Sequence, residues 1–488
     1  MHRTRTLSAA FTAVCALALA TGCTGQLPAS APTPTTTSAS TPAQPGVPTA
    51  SPSTPIPTRP PAGTATPDFD GDGAVDLATT FFGPREDARI TVRYGSGFTT
   101  EITAQQTILD QWGDVGRGSM LAPDLNGDGF SDLVFVGIGL ESGTSVCELF
   151  GSAEGLSLTT LHCVAVPEVD DRARVSSLGL LLEPSPRLAV GVISRGAADP
   201  AKTGRVLVFP LGPDAHLITP PTILEPGTGT VPDIVDQGSF GQSLAVAGDR
   251  LFVGAPLALI GSAAAGAVAA LRFDAEGAAS GEVITQATPG VPGEPANGDA
   301  FGASLAARDG HLAVGVPGDR LGSVPDTGTV QLFTISGDGQ AAGELLSQAT
   351  AGIPGRAETG DGFGSAVALG TVCPGVSGVV VGAPDEAVVD DHEGDGSVWV
   401  IPLERSASCA AQQLWEGHGL GGQPQYWRRL GDHVAVIRDG TEATDLIVVG
   451  GTGLVSDLSP IGVLSVWSSS DNTNPLHVEE SVLGIAGR

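Results

Sequence analysis

The feature that most constrains this chain is a repeat. The segment from Phe240 to Phe273 opens with Phe240-Gly241, runs through Ser243-Leu244-Ala245-Val246 and turns at Gly248-Asp249. It continues as Leu251-Phe252-Val253 into Gly254-Ala255-Pro256, then resumes at Gly266 with the apolar run Ala267–Leu271. The same plan returns at Phe301-Gly302, Gly315-Val316-Pro317 and Gly328–Phe333, and again at Phe363-Gly364, Gly382-Ala383-Pro384 and Gly396–Val400. Degenerate copies carry Gly191 with Gly204, and Gly450 with Gly462. In five units the second-strand Gly and the third-strand Gly are 12–14 residues apart. Short apolar runs split by Gly and Pro, at a period of about 60 residues, indicate small sheets arranged around an axis. Seven units can be counted from Asp68 onward, with rings of six or eight as the neighbouring alternatives.

Each repeat residue has a physical reason. Inner strands crowd the axis, so Gly241, Gly302 and Gly364 are expected where backbones approach closely. Pro256, Pro317 and Pro384 cannot donate to a ladder and should end the second strand. Val379-Val380-Val381 is continuously apolar, as a strand covered on both faces must be. No segment shows a sustained helical period, so the folded part reads as all-β, a seven-bladed propeller of four-stranded antiparallel blades. The 488-residue chain has 53 acidic against 23 basic residues, a net charge of −30. Nucleic acid and anionic lipid are poor partners for such a surface, because both need Lys and Arg. Cation binding or plain solubility fits it.

Two stretches carry a recognisable chemistry. Asp68, Asp70, Asp72 and Asp76, with Ala74 at the seventh loop position, are matched by Asp124, Asn126, Asp128 and Asp132 with Phe130. Short oxygen side chains at loop positions 1, 3, 5 and 9 converge on a hard cation. The residue at position 7 adds its carbonyl, and Gly at positions 4 and 6 accepts the tight backbone. An EF-hand would place a bidentate Glu at position 12 between helices. Here apolar strand follows Asp132 instead, so two calcium ions in β-hairpin loops are expected. An Asp/Gly turn without metal is the plainer alternative.

These units resemble the FG-GAP repeats of the integrin α-subunit β-propeller, over nearly the whole chain from Asp68. The resemblance implies that each calcium loop joins the first and second strands of a blade. It also implies that ligands meet the opposite face, at the loops between second and third strands. The most polar of those loops carries Asp385, Asp390, Asp391, Glu393 and Asp395. It reads as a further cation or basic-ligand site, or simply as a solvated acidic loop. Trp399, Trp415, Trp427 and Trp467 gather in the last two units, as core packing or as a sugar-stacking surface.

The N-terminal residues 1–22 read as a signal peptide, with Arg3 and Arg5 before an apolar stretch from Leu7 to Ala20. Ala20-Thr21-Gly22-Cys23 resembles the lipobox of bacterial lipoproteins, although Ala20 stands where Leu is usual. The resemblance implies a lipid on Cys23 and a place on the outer face of the membrane. An ordinary secretory cleavage is the alternative, and both imply export. Residues 23–67 are the lipidated Cys and a Pro/Thr/Ser-rich stalk in which Arg59 is the only ionisable side chain from Thr24 to Pro67, too polar to bury a core. Residues 68–488 form the propeller. In an exported chain Cys147 is expected to pair with Cys163, and Cys373 with Cys409.

No GxSxG elbow, HExxH or phosphate loop is present, and Lys202 is the only lysine. The expected function is therefore that of a monomeric, lipid-anchored, calcium-stabilised module that binds an extracellular protein or glycan. A polysaccharide lyase or glycosidase on the same scaffold is the competing reading, since acidic residues are plentiful.

Overall fold

The computed structural model describes residues 66–81, 89–95, 97, 99–103, 120–139, 143–167, 173–194, 204–235, 238–337, 339–388, 394–440, 442–453, 463–468, 476–478 and 482–486. The signal peptide, Cys23, nearly all of the stalk, and Asp390, Asp391 and Glu393 of the acidic loop lie outside the described residues. The chain divides into Met1–Pro57 and Thr58–Arg488, and all that follows concerns the second unit.

Seven blade sheets make the fold, antiparallel except for the two-residue fifth strand of blade 6, with a small hairpin at Leu259–Ile260 and Ala263–Ala264. A three-residue 3-10 turn at Leu158–Thr160 is the only helical element among the described residues. Blade 2 shows the pattern: Met120–Leu121 innermost, then Leu133–Gly139, Gly143–Leu149 and His162–Ala165. Blades 3, 4, 5 and 7 begin with inner strands Ala173–Leu181, Leu244–Ala247, Ser304–Arg308 and Leu430–Ile437. Blade 6 begins with Ala366–Cys373 and carries a fifth, two-residue strand, Gly419–Leu420. Blade 1 is made from both ends of the chain. Its three outer strands are Leu77–Phe81, Arg89–Arg93 and Thr99–Thr103, and its inner strand is Val482–Ile485. The joint is antiparallel, with Thr79 opposite Ile485 and Thr80 opposite Gly484, and Ala486 donates to the Ala78 carbonyl at 2.9 Å. The C-terminal strand contacts the inner strands of blades 7 and 2, so the seven inner strands form a closed ring.

The repeat residues build the seams between blades. Gly302, just before the inner strand of blade 5, lies against Gly254 of blade 4. A Cβ on Gly254 would sit 2.2 Å from the Gly302 carbonyl oxygen. The same pairing joins Gly191 to Gly241, Gly315 to Gly364 and Gly382 to Gly431. The Ser243 hydroxyl donates to the Gly302 carbonyl at 2.7 Å, and Ser304 does the same for Gly364 at 2.7 Å. The third-strand glycines Gly266, Gly328 and Gly396 meet the backbone of Phe301, Phe363 and Leu430 in turn, at Cβ distances of 2.4, 2.1 and 2.2 Å. Phe240, Phe301 and Phe363 are fully buried at these seams. The glycines were expected where backbones crowd, and the structure identifies the crowding partner as the next blade.

Seven apolar clusters lie at the seven interfaces between neighbouring blades among the described residues. Val379, Val380 and Val381 are fully buried, and they divide between two clusters because alternate side chains face opposite neighbours. The second strands end at Ala255, Val316 and Ala383, each directly before its proline. Both expected disulfides are present, Cys147–Cys163 across directly opposed strand positions and Cys373–Cys409 within blade 6.

Candidate metal centre and axial cavity

The two aspartate loops share their backbone-to-carboxylate bonds, and the second adds an Asn126 Nδ2 bond to Asp128 at 2.9 Å. In the first, Asp68 accepts from the amides of Gly71 at 2.7 Å and Gly73 at 2.9 Å, and the Ala74 amide donates to Asp72 at 2.7 Å. Asp76 accepts from Phe69 at 2.6 Å and from Gly95 at 2.8 Å. In the second, Asp124 accepts from Gly127 at 2.6 Å and Gly129 at 3.2 Å, and the Phe130 amide donates to Asp128 at 2.9 Å. Asp132 accepts from Leu125 at 2.8 Å and Gly151 at 2.9 Å, and Asn126 accepts from the Asp128 amide at 2.9 Å. Gly71, Gly73, Gly127 and Gly129 all have φ between 73° and 96°, a conformation that a Cβ disfavours.

The second loop joins the first and second strands of its blade, as the resemblance implies, whereas the first only leads into the second strand. The first strand before Asp68 comes from the far end of the chain. The two loops pack side by side. The Asp68 amide donates to Ser131 Oγ at 3.0 Å, the Ser131 amide donates to the Asp68 carbonyl at 2.7 Å, and the Phe130 ring lies over Gly71.

The first loop fits a hard cation. One oxygen from each of Asp68, Asp70 and Asp76 lies within 4.8 Å of the others. An ion about 2.3–2.6 Å from each oxygen would span that separation. Each carboxylate oxygen bonded to an amide keeps a second lone pair for a metal. Asp72 is outside this cluster, with its carboxylate turned to the Ala74 amide. Burial raises the carboxyls of Asp76 to about 6 and Asp132 to about 7, against the pull of their amide donors and with help from neighbouring aspartates. Asp68 is raised for the same reasons.

The acidic loop of blade 6 is engaged at both ends. Asp385 pairs with Arg429, which also bonds Asp432 at 3.1 and 3.2 Å. Asp395 is 3% exposed, and its backbone carbonyl accepts from the Leu430 amide at 3.1 Å across the seam to blade 7. Trp399 and Trp467 are fully buried, Trp415 stacks on His418, and Trp427 is exposed beside Tyr426. Two of the four tryptophans are thus core.

A cavity of about 640 Å³ occupies the axis, on the side of the aspartate loops. The expectation placed ligands on the opposite face, and no sequence pattern marked this cavity. Its wall is the far end of the inner strands, including Leu180, Val246, Ala306 and Leu369, together with Asp124 and Ser131 of the second aspartate loop. The charged lining residues are Asp124, Glu183, Arg308 and Arg438, and no His, Cys, Lys or Tyr is among the described lining residues. Arg308 is held by Asp445 at 2.9 Å.

No protein-family model and no curated protein matches this chain. Among solved structures it is similar to a candidate 6-phosphogluconolactonase from Bacteroides uniformis, at 10% identity and a TM-score of 0.47 over 85% of this chain and 99% of that one. It is also similar to the periplasmic gluconolactonase of Pseudomonas aeruginosa, at 14% identity and a TM-score of 0.44 over 85% and 97%. A luciferin-regenerating enzyme follows at 14% and 0.33, over 68% and 89%. At such identities no site residue is carried over from them. The sheets of the chain itself define its class, the seven-bladed β-propellers.

Proposed function

We propose that this chain is an exported, calcium-braced propeller of FG-GAP type that binds an extracellular protein or glycan through its axial cavity. The observation that supports this reading is the position of the second aspartate loop, which folds like the first and lines the cavity with Asp124 and Ser131. In the first loop Asp68, Asp70 and Asp76 with the Ala74 carbonyl would hold one ion, and Asp72 would join them by turning its other carboxylate oxygen inward. Asp124, Asn126, Asp128, Asp132 and the Phe130 carbonyl would hold the other. A bound ion supplies positive charge that offsets the clustered carboxylates and stiffens the rim. A lipid on Cys23 would tether the protein outside the membrane.

The lining favours binding over chemistry. Apolar strand ends with a few charges can take up an apolar or mixed surface. General acid–base catalysis needs a proton donor and acceptor placed around the reacting bond. Of the two carboxylates in the described lining, Asp124 is bonded to the Gly127 and Gly129 amides of its own loop, which leaves Glu183. The test is a glycan-array and surface-protein capture experiment with the purified protein, in calcium and in chelator. Capture should need calcium, and Ala306→Trp, which puts an indole into the cavity, should weaken it while leaving the fold intact. Capture indifferent to both changes, or turnover of a polysaccharide at enzymatic rates, would overturn the reading.

A further inference from the structure

A second cluster of metal-ligating side chains lies outside the aspartate loops. Glu148 is on the third strand of blade 2, directly opposite His162 on the fourth. His216 comes from the loop between the third and fourth strands of blade 3. Both imidazole Nδ1 atoms face one oxygen: His162 Nδ1 is 2.9 Å and His216 Nδ1 is 3.1 Å from Glu148 Oε2. All three ligand atoms lie within 4.8 Å of one another. The other carboxylate oxygen accepts from the Leu217 amide at 3.1 Å, which fixes the carboxylate with Oε2 toward the rings. The rings are centred 4.3 Å apart, and Phe150 packs on His216 at 5.1 Å. Glu148 is 1% exposed.

We propose that Glu148, His162 and His216 bind a divalent transition metal, zinc by preference, as a clip between blades 2 and 3. Four ligands at about 2.0–2.1 Å around zinc stand about 3.3 Å apart, close to the 2.9 and 3.1 Å between the two ring nitrogens and Glu148 Oε2. Two imidazoles and one carboxylate suit zinc and its neighbours rather than calcium, which takes oxygen ligands only. A buried carboxylate needs a compensating cation, and a divalent ion provides it. Binding requires each ring to carry its proton on Nε2 and present the Nδ1 lone pair. The side chains of His162 and His216 are 38% and 33% exposed, so water can exchange that proton. Three protein ligands leave the fourth position to water.

The site separates from the aspartate loops by its metal preference. In calcium-saturated buffer, chelator-stripped protein should take up one zinc per chain at micromolar concentration, and its unfolding midpoint should rise with zinc but not with added magnesium. Cobalt(II) in place of zinc should show the visible bands of a four-coordinate site. His162→Ala and His216→Ala should each weaken zinc binding by about 100-fold, and His311→Ala should not. His216→Gln retains a donor toward Glu148 but no ring nitrogen, so a natively folded H216Q protein that has lost zinc isolates ligation from packing. Failure of the folded wild-type protein to retain zinc, or unchanged binding in the two histidine variants, would overturn the proposal.

Discussion

Single residues decide the seams of this propeller. Gly254 has no room for a methyl group, because the atom in the way is the Gly302 carbonyl, a backbone group fixed by two strands. Gly254→Ala should therefore cost about 1–3 kcal/mol or more. Gly248→Ala, at a turn with open space around it but φ of 59°, should cost less. Urea midpoints of the two variants check the order. Glu386 provides a pH signature at the same scale. Burial, and next the Asp361 carboxylate, push its carboxyl from 4.5 up to about 8, while Gln348 donates to it at 2.8 Å. Asp361, itself raised by burial to about 6, and Glu358 are the acids that face it. A folded-state pKa above the unfolded value means stability present at low pH and lost as pH rises through the folded value. In saturating calcium, stability should decline from about pH 4.5 to 8, and Glu386→Gln should flatten that decline. A wild-type profile that is flat, or one unchanged by E386Q, would contradict this.

At the scale of elements, the paired aspartate loops act as one unit. Ser131 bridges the second loop to the Asp68 backbone, and Phe130 covers Gly71. Loss of the ion from one loop should therefore be felt in the other. Asp124→Ala should lower calcium affinity at both loops, with calorimetric titration showing reduced stoichiometry and a weaker remaining site. Calcium should also raise the melting temperature by mass action, by an amount that grows with its free concentration. Equal melting temperatures in calcium and chelator would exclude a calcium-braced pair of blades.

The whole molecule is held by its closure. Blade 1 has three strands from one end of the chain and one from the other, so the ring cannot be complete until Val482–Ile485 docks. Truncation before Val482 would leave the Leu77–Phe81 edge unpaired, and an open strand edge recruits other chains. The truncated protein should unfold at lower urea and form oligomers on size exclusion. A synthetic peptide of residues 482–488 should reverse part of both effects. A monomeric truncation with an unchanged midpoint would show that the ring does not depend on this strand.

Much of the fold was legible in the sequence because the repeat encodes local events: Gly where backbones touch, Pro where a strand stops, apolar runs where a blade is covered on both faces. The aspartate loops were legible for the same reason, since most of the side chains that shape each turn come from nine consecutive residues. The cysteine pairs also contained an unread signal, because Cys147 opposite Cys163 places Glu148 opposite His162. His216 could not be found that way. It reaches Glu148 from the next blade, and no spacing along the chain records the rotation from one blade to its neighbour. The closing strand, the axial cavity and the seam partner of each glycine share that origin. Residues far apart in sequence meet only when the ring shuts, so closure of the ring, rather than any local pattern, decided them.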